Sequence, residues 1–171
     1  NFDALDIESL TSTFGASVSQ KMIDDLDRTL TISLGLEARK SETELLGQPF
    51  SFSPGAQDGE TKTRALFVGL DWLSHGSNHV FGIRGTYRVG LKLWDATVFN
   101  PTTPLEQLFN PTGADGRFRR GRFQGIYIHR LKHLPGFSWV EDRGQVVFRS
   151  TAQYALDPLM SLEKIAIGGV N

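Results

Sequence analysis

Four histidines stand as two i, i+4 pairs, His75 with His79 and His129 with His133, the spacing at which a helix face presents two zinc ligands. Neither pair lies in a helical pattern. Along an extended strand that spacing separates the two residues by about 13 Å, too far to share one ion, so they read as surface or rim histidines. Asp24, Asp25 and Asp27 lack the further ligands and closing Glu of a calcium loop and read as a turn. Ser74 lies beside His75 and near Asp71, yet no Gly-x-Ser-x-Gly elbow, phosphate loop or dinucleotide fingerprint occurs. There is no cysteine, hence no thiolate nucleophile, disulfide or Cys-ligated metal. The expectation is no enzyme, no metal site, no cofactor and no small-molecule substrate. Arg117, Arg119, Arg120 and Arg122 form a local basic cluster. With 18 basic against 19 acidic side chains and a net charge of -1, the chain has no general excess of cations to neutralise phosphates. The cluster therefore reads as a solvated strand end or a pore rim, not as a nucleic-acid site.

The elements that must position these residues follow from period. The 171 residues, 39% hydrophobic and 22% charged, fit a single segment, 1–171. The longest run without a polar side chain is Ala65 to Leu70, far short of the roughly 20 residues of a spanning helix. The start at Asn1, with neither methionine nor signal segment, fits a mature product or an excised piece. Leu10 to Met22 places Leu10, Phe14, Ala16, Val18 and Met22 on even positions and polar residues on odd ones. Leu30, Ile32, Leu34, Leu36 and Ala38 repeat the pattern, which is that of strands with one apolar face. A polar Gly- and Pro-containing loop is expected over about Ser41 to Thr63. Leu66, Val68, Leu70 and Trp72 then lead through a turn at Ser74 to Asn78 into Phe81, Ile83, Tyr87, Val89, Leu91 and Leu93, opposite Arg84, Arg88 and Lys92. Three cations on one face belong in water, outside a sandwich or inside a wide barrel. Asp95 to Gly116 reads as a long loop, bracketed by two Asn-Pro-Thr triplets. Further strands are expected at Arg117 to Leu134, Ser138 to Leu156 and Ser161 to Gly169. In the first of these Ile126 and Ile128 favour one face and Phe123, Tyr127 and Leu131 the other. The expected fold is all-β, an antiparallel meander of about seven strands.

Alternation alone is shared by two architectures, a membrane barrel and a soluble sandwich or lipocalin-like binding module. Strand length favours the first. A strand crossing a bilayer needs about 9 to 11 residues, whereas soluble strands have a mode of about 5 or 6. Thr, Ser, Gly, Gln, Arg, Lys and Glu on the polar faces suit a hydrated lumen. Aromatics at apparent strand ends (Trp72, Phe81, Trp94, Trp139, Tyr154) suit interfacial girdles.

The stretch from Gln153 to Gly169 carries Gln153, Pro158, Leu159, Ser161, Glu163, Gly168 and Gly169 in an order and spacing that resembles the two-partner secretion transporters, the hemolysin secretion/activation proteins. These belong to an outer-membrane superfamily that also includes the barrel assembly proteins. Ile165 stands where that family has an aromatic residue, and the chain ends before the family's Val-Arg-Gly-aromatic signature. Pro158 lacks an N–H and must lie outside a ladder, so Pro158-Leu159 is expected to end one strand and reverse the chain. Gly168 and Gly169 allow positive φ or close approach where the chain would leave the wall.

The resemblance implies the middle part of a transmembrane β-barrel, about seven strands of a larger one, in the cell outer membrane of a bacterium. The implied activity is protein transport: porin-like passage of a large secreted exoprotein, a hemolysin or adhesin, coupled to its activation and folding outside, without nucleotide. Partners are then the exoprotein and outer-membrane lipid. The pore-facing residues are expected to be Lys21, Glu37, Arg39, Asp71, Arg84, Arg88, Lys92, Arg149 and Gln153. Alternatives of other classes are the soluble binding module and a barrel that assembles other outer-membrane proteins.

Overall fold

The computed structural model describes residues 7–51, 55–100, 108, 110–131 and 144–164. They form β1 (Ile7–Asp24), β2 (Arg28–Leu45), β3 (Gln48–Pro49), β4 (Glu60–His75), β5 (His79–Gly90), β6 (Arg119–Arg130), β7 (Gln145–Ala155) and one turn of 3-10 helix at Ser161–Glu163. The six long strands make one sheet in the order β1-β2-β4-β5-β6-β7, with the two-residue β3 beside β2. Every neighbouring pair is antiparallel. The fold is the expected all-β meander.

Register carries the alternation from strand to strand. Val18 stands opposite Leu34, Leu34 opposite Val68, Val68 opposite Tyr87, Tyr87 opposite Gly121 and Gly121 opposite Tyr154. Side chains of one parity therefore share a face across all six strands. On that face Phe14 and Val18 are 77% and 78% exposed, Leu34 53% and Phe148 63%. No second sheet covers it among the described residues. The same register settles β6, which puts Phe123 and Tyr127 on the apolar face and Ile126 and Ile128 on the other.

The hydrophobic core lies on the opposite, polar face. Ala65, Phe118 and Leu159 form a buried cluster there, next to the fully buried Met160. Ala65 is on β4, Phe118 precedes β6, and Leu159 and Met160 belong to the chain that leaves β7 and returns across the sheet. Burying side chains such as Phe118 and Met160 contributes about 1.5–3 kcal/mol each.

Several boundaries differ from expectation. The segment expected as a loop at 41–63 continues β2 to Leu45 and starts β4 at Glu60. Apolar alternation stops there but the ladder does not, because ion pairs replace leucines on the same face: Lys40 with Glu42 (2.5 Å) and Glu60 (3.1 Å), and Lys62 with Glu60 (2.9 Å). Lys40 directly opposes Lys62, so Glu60 offsets two like charges at once. Two tight turns fold what remains of the loop. Leu46 and Gly47 (φ 53° and 72°) and Asp58 and Gly59 (φ 48° and 73°) each have two successive positive φ values, the backbone of a type I′ hairpin turn.

β5 stops at Gly90, before Leu91 and Leu93. The backbone N–H of Gly90 donates to the Phe118 carbonyl (2.7 Å) and that of Leu91 to the Arg64 carbonyl (2.7 Å), each one step further along the registers with β6 and β4, before the turn in which Trp94 and Asp95 take positive φ (42° and 59°). A side chain at Gly90 would collide with Phe118 and the Gly116 carbonyl. The strand expected at 161–169 begins as a 3-10 turn, because the burial of Met160 and Glu163 pulls the backbone off the ladder. Its remainder lies outside the described residues, as do Trp139 and the first part of the strand expected at 138–156. The seventh strand is thus the short β3.

Candidate functional site on the polar face

Eight of the nine expected pore-facing residues are in ladder positions of the polar face by register: Lys21 on β1, Glu37 and Arg39 on β2, Asp71 on β4, Arg84 and Arg88 on β5, Arg149 and Gln153 on β7. Lys21 on β1 shares this face, opposite Thr31, and its ammonium turns back to Asp24 at 2.9 Å. Lys92 is the exception. It follows the end of β5 and takes no place in a strand, lying just before the turn at Trp94 and Asp95.

Polar pairs tie these strands side by side. Ser19 and Ser33 are register partners with hydroxyls 2.8 Å apart, and Asp71 opposes Arg84 and accepts its Nε–H. Cross-strand pairs of this kind contribute roughly 0.2–1 kcal/mol each. Phe67 is the one large aromatic between them. Its ring fills the space over Gly35, where a Cβ would lie 2.6 Å from Phe67 Cζ, and the Arg88 guanidinium stands 5.6 Å above it.

The polar face is most organised at the end of the sheet where the chain returns after β7. Arg88 and Arg120 oppose each other directly across β5 and β6, an arrangement that like-charge repulsion disfavours. Each is offset by a different carboxylate. Glu37 accepts from Arg88 at 2.5 Å and lies 2.5 Å from Arg39 Nε. Glu163 receives Arg120 Nη2 at 2.6 Å, with Arg39 Nη1 at 3.7 Å and the Thr63 hydroxyl donating at 3.1 Å. Arg120 also donates to the Glu163 carbonyl at 2.9 Å, and the Gln153 amide donates to that carbonyl at 3.3 Å. Glu163 is 1% exposed and Arg120 5%. A contact between residues 100 positions apart, Thr63 and Glu163, thus closes the strip of chain from Leu156 to Lys164 onto the sheet.

Of the motif residues, Pro158 and Leu159 lie beyond the end of β7 at Ala155, Leu159 enters the buried cluster, and Ser161 and Glu163 belong to the 3-10 turn. Gly168 and Gly169 lie outside the described residues.

The basic cluster at 117–122 does not act as one patch. Arg117 pairs with Asp115 (2.6 Å) and Arg119 with Asp157 (2.9 Å), while Arg120 turns to the other face and Glu163. Alternation along a strand splits adjacent charges between two faces. Arg120, Thr63 and Asp95 were not singled out individually from sequence, since their partners are distant along the chain. For Arg120 the signal was its parity, one step out of phase with Arg119.

Two carboxylates outside the strands, the exposed Asp95 and the half-buried Asp157, fasten the chain beyond β5 and β7. Asp95 receives Lys62 at 2.9 Å and Arg64 at 3.1 Å, and the hydrogen bond from Lys62 holds its pKa below the usual carboxylate range. Asp157 is lowered likewise by its hydrogen bond with Arg119. His79 and His129 are register partners across β5 and β6, a juxtaposition the i, i+4 spacing does not indicate. Among the described residues no group of three or more His, Asp or Glu side chains could hold a metal ion. No protein-family model, curated protein or solved structure matches this chain.

Proposed function

We propose that this chain is a stretch of the wall of a transmembrane β-barrel in the bacterial outer membrane, and that the barrel passes a large unfolded exoprotein of hemolysin or adhesin type, without nucleotide. One observation carries the membrane part of this reading. A sheet of six long strands leaves its apolar face uncovered while its buried core sits on the polar face. In water an apolar patch of that extent calls for a partner, and hydrocarbon is the partner that asks nothing more of it. Dimensions agree. The 12 residues of β5 or β6 extend about 40 Å at roughly 3.3 Å per residue, or about 28 Å of depth at a tilt near 45°. The opposite face, with Asp71, Arg84, Arg149 and Gln153, then borders a hydrated lumen. The exoprotein is implied by the resemblance of Gln153 to Gly169 to the two-partner secretion transporters, and its contacts with such a wall would be weak and polar.

The test places one lysine on each face of β2 at adjacent positions. Leu34→Lys is expected to reduce the stability of the protein folded into phosphatidylcholine vesicles by roughly 2–4 kcal/mol, read by urea unfolding, while Ser33→Lys changes it little. Equal tolerance of both substitutions, or a chain that stays monomeric in buffer without detergent, would overturn the reading. Arg84→Glu combined with Arg88→Glu is expected to shift the ion selectivity of the channel in planar bilayers toward cations. Unchanged selectivity would remove these residues from the lumen.

A further inference from the structure

We infer that Arg120, Arg39 and Thr63 form a carboxylate-binding site on the polar face, that Glu163 occupies it as a tethered internal ligand, and that an acidic side chain of an extended polypeptide takes its place when the returning strip lifts. The inference rests on the reading above in taking a polypeptide as the guest.

The charge balance of the cluster is the starting point. Arg39, Arg88 and Arg120 face Glu37 and Glu163 within one connected set of contacts, three cations to two anions. Glu37 belongs to β2, which is paired on both sides. Glu163 belongs to a 3-10 turn that meets the sheet through side chains of Thr63, Arg120 and Gln153 rather than through a strand ladder among the described residues. When it departs, three guanidinium groups share one carboxylate, two of them directly opposed across β5 and β6. A buried cation left in that state demands an anion. Arg120 has unused capacity as well: its Nε has no hydrogen-bond partner among the described residues.

The site also reads backbone. Arg120 Nη1 and Gln153 Nε2 both donate to the carbonyl of Glu163 itself, at 2.9 and 3.3 Å. A carboxylate together with its own main-chain carbonyl is what an acidic residue of an extended chain presents, and free acetate lacks the second group. The strip that blocks the site is anchored by two further points, Leu159 and Met160 in the core and the half-buried Asp157 on Arg119, so weakening one anchor can release it without unfolding the sheet. An intramolecular ligand competes at an effective concentration on the order of millimolar, and removing it raises the binding-competent fraction accordingly.

The experiment uses the full chain in detergent micelles and two dye-labelled octapeptides, (Ser-Glu)4 and (Ser-Gln)4, with binding followed by fluorescence anisotropy. Glu163→Gln and, separately, Met160→Ser are expected to tighten binding of (Ser-Glu)4 by about tenfold or more over the unsubstituted protein, with (Ser-Gln)4 unaffected. Adding Arg120→Gln to either variant is expected to abolish the gain. Far-UV circular dichroism checks the strand content of each protein, and Met160→Ser keeps every charge in place should Glu163→Gln fail to fold. The inference is overturned if neither variant tightens binding, if the gain survives Arg120→Gln, or if the two peptides bind alike. A channel that inserts and secretes normally while those results are negative loses the carboxylate site and keeps the transport reading. A chain that binds (Ser-Glu)4 as described yet never inserts into bilayers keeps the site and loses the transport reading.

Discussion

At the scale of single residues, the charges of this protein work as offsets. Glu37 is the clearest case, since two arginines from different strands close on one carboxylate that is largely shielded from water. Glu37→Gln should therefore cost roughly 3 kcal/mol, because Arg39 and Arg88 lose their common anion while Arg120 remains opposite Arg88. Urea titration of the folded protein in detergent measures this, and a loss below about 0.5 kcal/mol, the range of ordinary surface substitutions, would show that water already screens the cluster. The existence of a polar face carrying Glu37, Arg39, Arg84 and Arg88 was legible from alternation. Which acid would meet which base was not, because Glu163 comes back to Arg120 and Thr63 from beyond β7 and no local spacing encodes that meeting.

At the scale of elements, glycines and loop anchors decide how strands lie against one another. A Cβ at Gly35 would fall 2.6 Å from both the Ala16 carbonyl oxygen and Phe67 Cζ, whereas one at Gly85 would meet nothing within 4 Å. Gly35→Ala is expected to destabilise by about 1–3 kcal/mol through forced displacement of β1 or of Phe67, and Gly85→Ala to be neutral or slightly stabilising. Thermal unfolding of the two variants side by side distinguishes a packing constraint from a general dislike of alanine in these strands. The loop anchors give an acid dependence. Asp95 and Asp157 both have lowered pKa values, from the hydrogen bonds with Lys62 and Arg119. A carboxylate held below its unfolded value stabilises fully above that value, near 4, and the contribution fades as pH falls through the lowered one. Protection against hydrogen exchange, taken relative to the intrinsic rate at each pH, should accordingly fall at 91–97 and at Leu156 and Asp157 below pH about 4, and Asp95→Asn should remove the acid dependence at 91–97 alone. At this scale the sequence indicated strand cores well and strand ends poorly. β2 runs on past Leu36 and β4 begins before Leu66 because ion pairs can line a ladder as leucines do, and β5 ends before Leu91 and Leu93, ahead of the turn at Trp94 and Asp95.

At the scale of the whole molecule, the sheet carries one exposed apolar face and, among the described residues, has its buried core on the other. In a bilayer, Trp72, on the apolar face opposite Ile83, should sit among acyl chains, and Trp94, past the end of β5, should lie beyond them. Brominated phospholipids are expected to quench a variant retaining Trp72 alone several-fold more than one retaining Trp94 alone, and equal quenching would contradict the assignment of the apolar face to lipid. The sequence by itself determined that the chain is all-β and antiparallel and which residues share a face, since side-chain direction in a strand depends only on parity and parity is written in the residues. Tertiary structure alone decided that no second sheet covers the apolar face among the described residues, that the buried core forms on the polar side, and that Glu163 is the partner of Arg120. Those outcomes depend on where the connections after β5 and β7 travel, and a chain that can return over either face of a sheet chooses between them by the long-range burial and charge pairing it finds there.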